Sequence, residues 1–257
     1  MARILVTNDD GVDSPGLIVL AETLRTLGEV IVVAPDSDRS GVSHAISIRH
    51  AVTVVEVAGR AVPTYACSGM PADCVILGVH QIAPGPVDFV VSGINRGANV
   101  ADDINYSGTV AAAVEALLVG VPSLAVSLAA SWPETDDVHH WTVAAELARD
   151  TVRATLAEPL PPFTFWNLNV PNVATPHGTR ITRQGRKRYT DRLVLDPSGA
   201  DGVRTYRIHG RDIQRAGENT DDDAVHAGFA SLTPLRADRT DEDLYRSYGS
   251  EASLLPS

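Results

Sequence analysis

The sequence contains very few cysteines, and this excludes several kinds of protein. Among its 257 residues there are two, Cys67 and Cys74, too few for a disulfide framework and not arranged as a Cys-x-x-Cys motif. No cysteine and histidine cluster with zinc-ligand spacing surrounds them. We therefore expect two buried thiols and a location in the reducing environment of the cytoplasm.

Positive charge is also scarce. The chain carries 21 lysines and arginines against 32 aspartates and glutamates, a formal net charge of −11. This balance argues against binding of a nucleic-acid polymer through a basic surface and against contact with an anionic membrane. A small anionic substrate would need a local cation or a helix N-terminus to overcome the background charge.

Long hydrophobic runs are missing, with one exception at residues 109–132. This stretch contains a single charged residue, Glu115, and about 20 such residues would span a bilayer. The sequence Gly-Val-Pro at residues 120–122 interrupts it, and no lysine or arginine cluster flanks it. We interpret it as a buried helix followed by a central parallel strand. The apolar run at residues 4–6 is too short for a signal peptide.

Three common motifs of nucleotide and ester chemistry are absent. The chain has no G-x-G-x-x-G dinucleotide fingerprint, although its sequence GINRGAN is rich in glycine. It has no G-x-x-x-x-G-K-[ST] phosphate loop and no G-x-S-x-G nucleophile elbow. These absences argue against a dinucleotide-binding protein, a P-loop protein and a serine hydrolase of the elbow type.

The order of the predicted elements indicates the fold class. Apolar strands alternate with amphipathic helices, which favours a Rossmann-like α/β fold: a three-layer arrangement of a parallel sheet with helices on both faces. We assign residues 1–175 to this catalytic core. Strands are predicted at residues 3–7, 29–35, 51–58, 63–67, 87–93, 123–128 and 163–170, and helices at 15–28, from Pro71, from Ser107 and near 138–157.

The composition changes after about residue 175. The following stretch is polar, partly basic and strand-like, with a turn signal at residues 197–199. Because an isolated hairpin is marginally stable in water, we expect it to pack on its own domain or on another subunit. We assign residues 176–235 to an extended arm and a return segment for oligomerisation, and residues 236–257 to a loosely ordered acidic tail.

Three polar loops follow predicted strands, and all three are expected at the carboxyl edge of the sheet. They carry Asp9 and Asp10, Ser40, and Asn95. Carboxylate, hydroxyl and amide oxygens suit Mg²⁺, Mn²⁺ or Ca²⁺ better than zinc. A dication would also offset the repulsion between the two neighbouring carboxylates. The alternative is an ordinary strand-to-helix turn in which Asp10 caps the helix.

The sequence Tyr-Ser-Gly-Thr at residues 106–109 is typical of a helix start. Ser107 and Thr109 offer hydroxyls, Gly108 lets a ligand approach the backbone, and the free N–H groups of the first turn favour an anion. Alternatively, Ser107 serves only as the N-cap. Together with the loops, this helix start suggests a divalent cation facing an anion site, a layout suited to phosphate chemistry.

Several stretches of the chain resemble the survival protein SurE family of nucleotidases. They follow one another in the family's order from Arg3 to about Leu235: ILVTNDDGVDSPG, VVAPDSDRSGVSHAIS, MPADCV, VVSGINRGANVADDINYSGTVAAAVEALLVGVPSLAVSL and AVHAGFASLTPL. The resemblance implies a metal-dependent, acid-phosphatase-like enzyme that hydrolyses nucleoside 5′- or 3′-monophosphates and, in some members, short polyphosphate. It also implies a Rossmann-like fold and an arm that is swapped between the subunits of a dimer or tetramer.

The same resemblance implies roles for individual residues. It implies one divalent cation per subunit, Mg²⁺ or Mn²⁺ with Ca²⁺ able to substitute, and it makes Asp9 and Asp10 catalytic. The group that activates water stays open between Asp9 and the metal alone. The implied metal ligands are Asp9, Asp10, Ser40 and Asn95, and the implied phosphate and substrate contacts are Gly41, Asn99, Ser107, Gly108 and Thr109.

Three positions depart from the pattern of the family. Ala101 stands where glycine is usual, Ser198 replaces an arginine, and His44 replaces a small polar residue. These changes bear on the loop behind Asn99, on the contacts of the arm and on substrate preference more than on the metal ligands.

Other functions fit part of the same pattern. A haloacid-dehalogenase-type phosphatase needs D-x-D after its first strand, but Gly11 occupies the second position here. A non-catalytic sensor of metal and nucleotide would use the same ligands as an enzyme, and an oligomeric scaffold would use the arm alone. For the remaining polar candidates we expect no catalytic role. Glu115 is expected to pack in its helix or form a salt bridge, Arg39 and His44 to be solvated or partly exposed loop residues, and His139 and His140 to lie on the surface of a helix start.

Overall fold

The structure is a computed structural model that describes residues 1–130, 138–196, 203–216 and 218–248. Within these ranges, nine strands form one mixed sheet in the order β3-β4-β2-β1-β5-β6-β7-β11-β8. Neighbouring strands from β4 to β7 run parallel, whereas β3 and β11 pair antiparallel with β4 and β7. The strands are β1 Ala2–Thr7, β2 Gly28–Pro35, β3 Val54–Glu56, β4 Thr64–Cys67, β5 Phe89–Arg96, β6 Ser123–Ala129, β7 Thr164–Pro171, β8 Thr179–Ile181 and β11 Ala230–Arg236.

Helices cover both faces of this sheet, as predicted. Because side chains alternate along a strand, Ile4 and Val6 of β1 pack in the core under α1 and α4, while Leu5 packs in the core under α2 and α3. The three-layer α/β class is therefore confirmed. The helices are α1 Pro15–Leu24, α2 Pro71–Leu77, α3 Gly108–Leu118, α4 Trp141–Ala157, α5 Asp221–His226 and α6 Glu242–Tyr248, with a π-type turn at Gly78–Ile82 and a 3₁₀ helix at Ala101–Asn105.

The first predicted helix is too long. It was expected to end at Gly28, but α1 ends at Leu24, and Gly28 is the first residue of β2. A Cβ atom on Gly28 would lie 1.9 Å from the carbonyl oxygen of Ala2. The glycine therefore allows β1 and β2 to lie close together, and it does not terminate the helix.

The apolar stretch at 109–132 is confirmed as two elements. It comprises most of α3 and the whole of β6, separated by a turn at Gly120. No helix among the described residues is long and apolar enough to cross a membrane. Cys67 and Cys74 are buried, free thiols, as expected, and the cytoplasmic location inferred from them stays a prediction.

The segment after β7 divides between two sheets. β8 and β11 extend the main sheet, whereas β9 Arg186–Asp196 and β10 Thr205–Ala216 form a separate antiparallel pair. The predicted turn at 197–199 lies outside the described residues. The tail expected to be loosely ordered contains the exposed helix α6, which the sequence analysis did not predict. Exchange of the arm between subunits stays a prediction.

Candidate active site

The order of strands reverses between β1 and β5, which are neighbours in the sheet. The chain moves from β1 to β2 and β4 on one side, and from β5 to β6 and β7 on the other. In open α/β sheets such a switch point leaves a crevice outside the carboxyl ends of the strands, where ligands bind. This crevice is a cavity of about 470 Å³, and its lining includes Asp9, Asp10, Asp38, Ser40, Gly41, Asn95, Asn99 and Ser107.

The structure brings most of the predicted site residues to this cavity. Asp9 and Asp10 follow β1, Ser40 and Gly41 lie in the loop after β2, and Asn95 lies near the end of β5. Ordinary helix capping does not explain Asp10, because the N-cap position of α1 is Ser14. We call this space, lined by four aspartates, the acidic cavity. The aspartates are Asp9, Asp10, Asp38 and Asp103.

Asp9 is buried against the start of α3. Its Oδ2 accepts a hydrogen bond from the backbone N–H of Thr109 at 3.1 Å, and its Oδ1 accepts one from the Thr109 hydroxyl. These donors and the positive end of the helix dipole favour the ionised form of Asp9 over the protonated acid. Burial nevertheless raises the pKa of Asp9 above its ordinary value. The donors of Thr109, predicted to contact phosphate, are both used by Asp9.

Gly108 makes this approach sterically feasible. A Cβ atom at this position would lie 2.9 Å from both the Cβ and the Oδ2 of Asp9. The sequence pattern predicts that Gly108 lets a ligand approach the backbone. In the structure the group that the glycine admits is the side chain of Asp9.

Asp10 has a different environment. Its Oδ2 accepts the backbone N–H of Arg96 at 3.1 Å, while no donor among the described residues binds Oδ1. Burial, followed by the charge of Asp9, raises the pKa of Asp10 to about 7. Two adjacent carboxylates, one buried and one half-buried, with raised pKa values are what a bound dication would stabilise in their ionised form.

Neutral oxygen donors complete the set. Asp38 accepts hydrogen bonds from the Ser40 backbone N–H at 2.7 Å and from the Ser40 hydroxyl at 2.6 Å, which leaves the hydroxyl lone pairs available. The Asn95 amide donates to the carbonyl of Gly97 at 2.8 Å, and within the described ranges nothing donates to its oxygen. Such a donor set fits Mg²⁺, Mn²⁺ or Ca²⁺.

This donor set differs from a cluster of strong ligands. No group of three or more histidine, cysteine, aspartate or glutamate side chains in the described part of the chain is arranged to hold a metal. A cation here would use two carboxylates with hydroxyl and amide oxygens. Asp38 was missed by the sequence analysis, although it lies two residues before Ser40 in a loop that was singled out.

The backbone of Asn99 is fixed by two asparagines that the sequence analysis also missed. The Asn99 N–H donates to Asn169 Oδ1 at 2.8 Å, and its carbonyl accepts from the amides of Asn167 at 2.9 Å and Asn169 at 3.1 Å. The Asn99 side chain donates to the Ser127 hydroxyl at 2.9 Å. The available signal was two asparagines, separated by one residue, in the otherwise mostly apolar strand predicted at 163–170.

Ala101, one of the departures from the family pattern, has left-handed backbone geometry with φ of +53°. Its N–H donates to Asp221 Oδ2 and its carbonyl accepts from Gln184 Nε2, both at 2.9 Å. Non-glycine residues rarely adopt this geometry, and it costs about 1 kcal/mol or more. The loop behind Asn99 is therefore held from outside by α5 and by the segment before β9.

Ser107 is confirmed as the N-cap of α3, since its hydroxyl accepts the Val110 N–H at 3.1 Å. It also lines the acidic cavity. The capping role and the predicted ligand contact are therefore compatible, and the second stays a prediction.

The remaining polar candidates make contacts within the protein. His44 Nε2 lies 2.7 Å from Glu115 Oε2. Arg39 contacts Asp36 at 3.3 Å and the Ser68 carbonyl at 3.2 Å, and His139 stacks on Trp141 with ring centroids 5.1 Å apart. The structural role expected of Glu115 is confirmed. His139 lies half-buried just before α4, at the helix start where it was expected.

Fold and cavity together define an open α/β protein with an oxygen-donor site at the switch point of its parallel sheet. Comparison with known proteins narrows this class. A model of the family described as "Survival protein SurE" matches residues 4–191, and the chain belongs to this family.

Curated relatives and a solved structure agree with this assignment. A protein from Syntrophotalea carbinolica named 5′-nucleotidase SurE is 45% identical over 95% of this chain and 94% of its own. One of the same name from Geobacter sulfurreducens is 44% identical over 93% of this chain and 89% of its own. The crystal structure of the SurE protein from Aquifex aeolicus superposes with a TM-score of 0.80 at 37% identity, covering 95% of this chain and 97% of the other.

Proposed function

We propose that this chain is a metal-dependent 5′-nucleotidase that hydrolyses nucleoside 5′-monophosphates to nucleoside and phosphate. The observation that carries the proposal is the pairing of Asp9 and Asp10 at the switch point, beside Ser40 and Asn95. Relatives named 5′-nucleotidase SurE support the reaction. We extend the proposal to 3′-monophosphates and short polyphosphate as further substrates.

We propose that Asp9, Asp10, Ser40 and Asn95 hold one divalent cation, Mg²⁺ or Mn²⁺, with Ca²⁺ able to substitute. When bound, the cation draws charge from the phosphoryl oxygens and makes water more acidic. Asp9 is fixed in advance by Thr109. Asp10 keeps one oxygen available for a proton or a ligand.

The hydrolysis joins a water oxygen to phosphorus and breaks the bond between phosphorus and the ribose 5′ oxygen, which takes up a proton. The phosphate would lie between the carboxylate pair and the start of α3. Gly41, Asn99 and Ser107 line this space and orient the phosphate. Thr109 and Gly108 act indirectly, since they position Asp9.

Phosphate release from a panel of nucleoside monophosphates tests the proposal. We expect release with Mg²⁺ or Mn²⁺, loss of release with chelator, and recovery when the metal is restored. Asp10→Asn should abolish release while the far-ultraviolet circular dichroism spectrum stays unchanged. Saturable nucleotide binding without turnover under any of these metals would instead identify a non-catalytic sensor.

A homo-oligomer formed through the arm is a second part of the proposal. Apolar side chains of β9 and β10 are exposed in the single chain, and Leu193 and Leu195 are 64% and 57% exposed. A second copy of the chain would cover them, forming a dimer or tetramer.

A further inference from the structure

A second cavity adjoins the acidic cavity. It has a volume of about 550 Å³, and Ser107 lines both spaces. One wall comes from α3, and others come from β7, from the root of the arm and from the segment that follows β11. We call it the arginine cavity, after Arg186, Arg236 and Arg239 in its lining.

The two cavities differ in charge. The acidic cavity is lined by four aspartates and one arginine, Arg96, whereas no aspartate or glutamate of the described residues lines the arginine cavity. Three arginines in one space are unexpected in a chain with a formal net charge of −11. A concave surface with one sign of charge concentrates ligands of the opposite sign. The arginine cavity therefore suits an anion.

Two of the arginines are available to a ligand. Arg186 donates to Asp102 at 2.9 Å, so part of its positive charge is already neutralised by this carboxylate. Arg236 and Arg239 are exposed, and within the described ranges their side chains make no hydrogen bond and no ion pair within 4 Å. Hydrogen bonds, and to a smaller extent the charge of Arg236, lower the pKa of Asp238, an exposed carboxylate that a ligand anion would have to outcompete. The guanidinium group offers paired N–H donors that match the oxygens of a phosphate.

The same cavity has an apolar wall. Val110 and Val114 come from α3, Phe165 from β7 and Leu235 from β11. Apolar and aromatic side chains beside a few polar groups are the usual lining of a site for a small organic ligand. The arginine cavity therefore combines room for the body of a nucleoside with donors for a phosphate, directly beside the proposed hydrolytic site.

We propose that the preferred substrates carry a second phosphate on the ribose. This inference rests on the proposed 5′-nucleotidase function. The scissile 5′-phosphate lies in the acidic cavity, the nucleoside passes Ser107, and the second phosphate binds Arg236 and Arg239. In this binding mode water attacks the 5′-phosphorus, because only the 5′-phosphate lies in the acidic cavity, and the products are inorganic phosphate and a nucleoside monophosphate that keeps its other phosphate.

The experiment compares kcat/KM of the full-length protein with Mg²⁺ for AMP and for adenosine 3′,5′-bisphosphate. Because charge-assisted hydrogen bonds are among the strongest, we expect a value about tenfold or more higher for the bisphosphate. In the double variant Arg236→Gln/Arg239→Gln the ratio should fall to about one, chiefly through KM, because the added donors are gone. Arg25→Gln, which changes an exposed arginine outside both cavities, should leave the ratio intact.

Equal values for the two compounds, or a ratio that survives in the double variant, would overturn the proposal. If neither compound is hydrolysed, the proposed 5′-nucleotidase function fails, and calorimetric titration with both compounds then decides the role of the arginine cavity. Tighter binding of the bisphosphate that is lost in the double variant supports the cavity as its site. Equal affinities overturn that assignment.

Discussion

Thr109 holds both carboxylate oxygens of Asp9, one through its hydroxyl and one through its backbone N–H. The two residues are 100 positions apart in the sequence, and the contact joins the end of β1 to the first turn of α3. A side chain with so few remaining degrees of freedom loses little entropy when a ligand binds. The proposed metal ligand is thus preorganised by a residue that need not touch the metal.

Thr109→Val tests this preorganisation. Valine removes the hydroxyl donor but keeps the branched shape and the backbone N–H. Since a hydrogen bond to a buried charged group contributes about 1.5–3 kcal/mol, we expect metal affinity or kcat/KM to fall by roughly tenfold to a hundredfold. Metal titration followed by phosphate-release kinetics measures both. Thr109→Ser keeps the donor and should retain most of the activity; equal losses in the two variants would contradict the role of the hydroxyl.

Gly108→Ala should damage the site without damaging the helix. Alanine is the better helix former, but its methyl group would lie 2.9 Å from two atoms of Asp9. Displacement of that carboxylate should lower kcat/KM by about tenfold or more, while Tm changes by only a few degrees. Calorimetry and kinetics on the same preparation separate these effects. Gly59→Ala places alanine at a position with φ of +79° and no neighbouring atom within 4 Å, so it should cost stability through backbone strain and leave kcat/KM unchanged. An active Gly108→Ala protein would refute the steric argument.

Periodicity and turn residues were sufficient to predict most of the core. The strands around the switch point and the break in the apolar stretch at 109–132 follow from patterns within short segments, so local sequence determines them. The end of α1 could not be predicted in this way. Gly28 is a glycine because the backbone of Ala2, in the neighbouring strand, leaves no room for a side chain there. Such a requirement arises only when the sheet is assembled.

The candidate site shows the same division. Asp9, Asp10, Ser40 and Asn95 could be selected from the sequence because each lies in or beside a loop that follows a predicted strand, at the edge of the sheet where ligands bind. The support behind them was not found. Asn167 and Asn169 interrupt an otherwise mostly apolar strand. Their role, which is to hydrogen-bond to the backbone of Asn99, is visible only when β7 lies beside the loop that carries Asn99.

Asn169→Ala should loosen the loop behind the site. The change removes two buried groups of the Asn169 side chain. One is the oxygen that accepts the hydrogen bond of the Asn99 N–H, and the other is the amide that donates to the Asn99 carbonyl. We expect a loss of roughly 1–3 kcal/mol in the free energy of unfolding and a higher KM. Urea unfolding and steady-state kinetics measure the two effects. The control variant is Asn172→Ala, because Asn172 follows the same strand but hydrogen-bonds to residues 138 and 140. An equal rise of KM in this variant would argue against a specific effect of Asn169 on the Asn99 loop.

Leu193→Ser/Leu195→Ser tests assembly through the arm. Both side chains are more than half exposed in the single chain, so polar replacements should be tolerated by an isolated arm. They should weaken an interface that buries the two leucines, because each fully buried leucine contributes about 1.5–3 kcal/mol. Sedimentation at several concentrations should show a shift to lower mass. An unchanged mass distribution, with the fold intact by circular dichroism, would reject the arm as the interface.

Asp221→Asn should reveal a pH-dependent contribution to stability. Asp221 accepts backbone N–H groups from Ala101, Gly185 and Asp222, yet burial raises its pKa above the ordinary value. The folded chain therefore keeps this proton at pH values where the unfolded chain has released it. The contribution of Asp221 is greatest below about pH 4, the ordinary range for aspartate, and declines as pH rises through the pKa of the folded state.

The measurement is the free energy of unfolding of parent and variant from pH 4 to pH 8, so that groups common to both cancel. The advantage of the parent should shrink with rising pH and then level off, because both states are ionised above the higher pKa. Asp150→Asn supplies a control of opposite sign when its measurement is extended to pH 2, since the hydrogen bond from Arg149 lowers the pKa of Asp150 and its contribution is lost only as pH falls below about 4. If the parent gains on Asp221→Asn as pH rises, the three N–H donors outweigh burial. The buried carboxylate then stabilises the left-handed turn at Ala101 in its charged form.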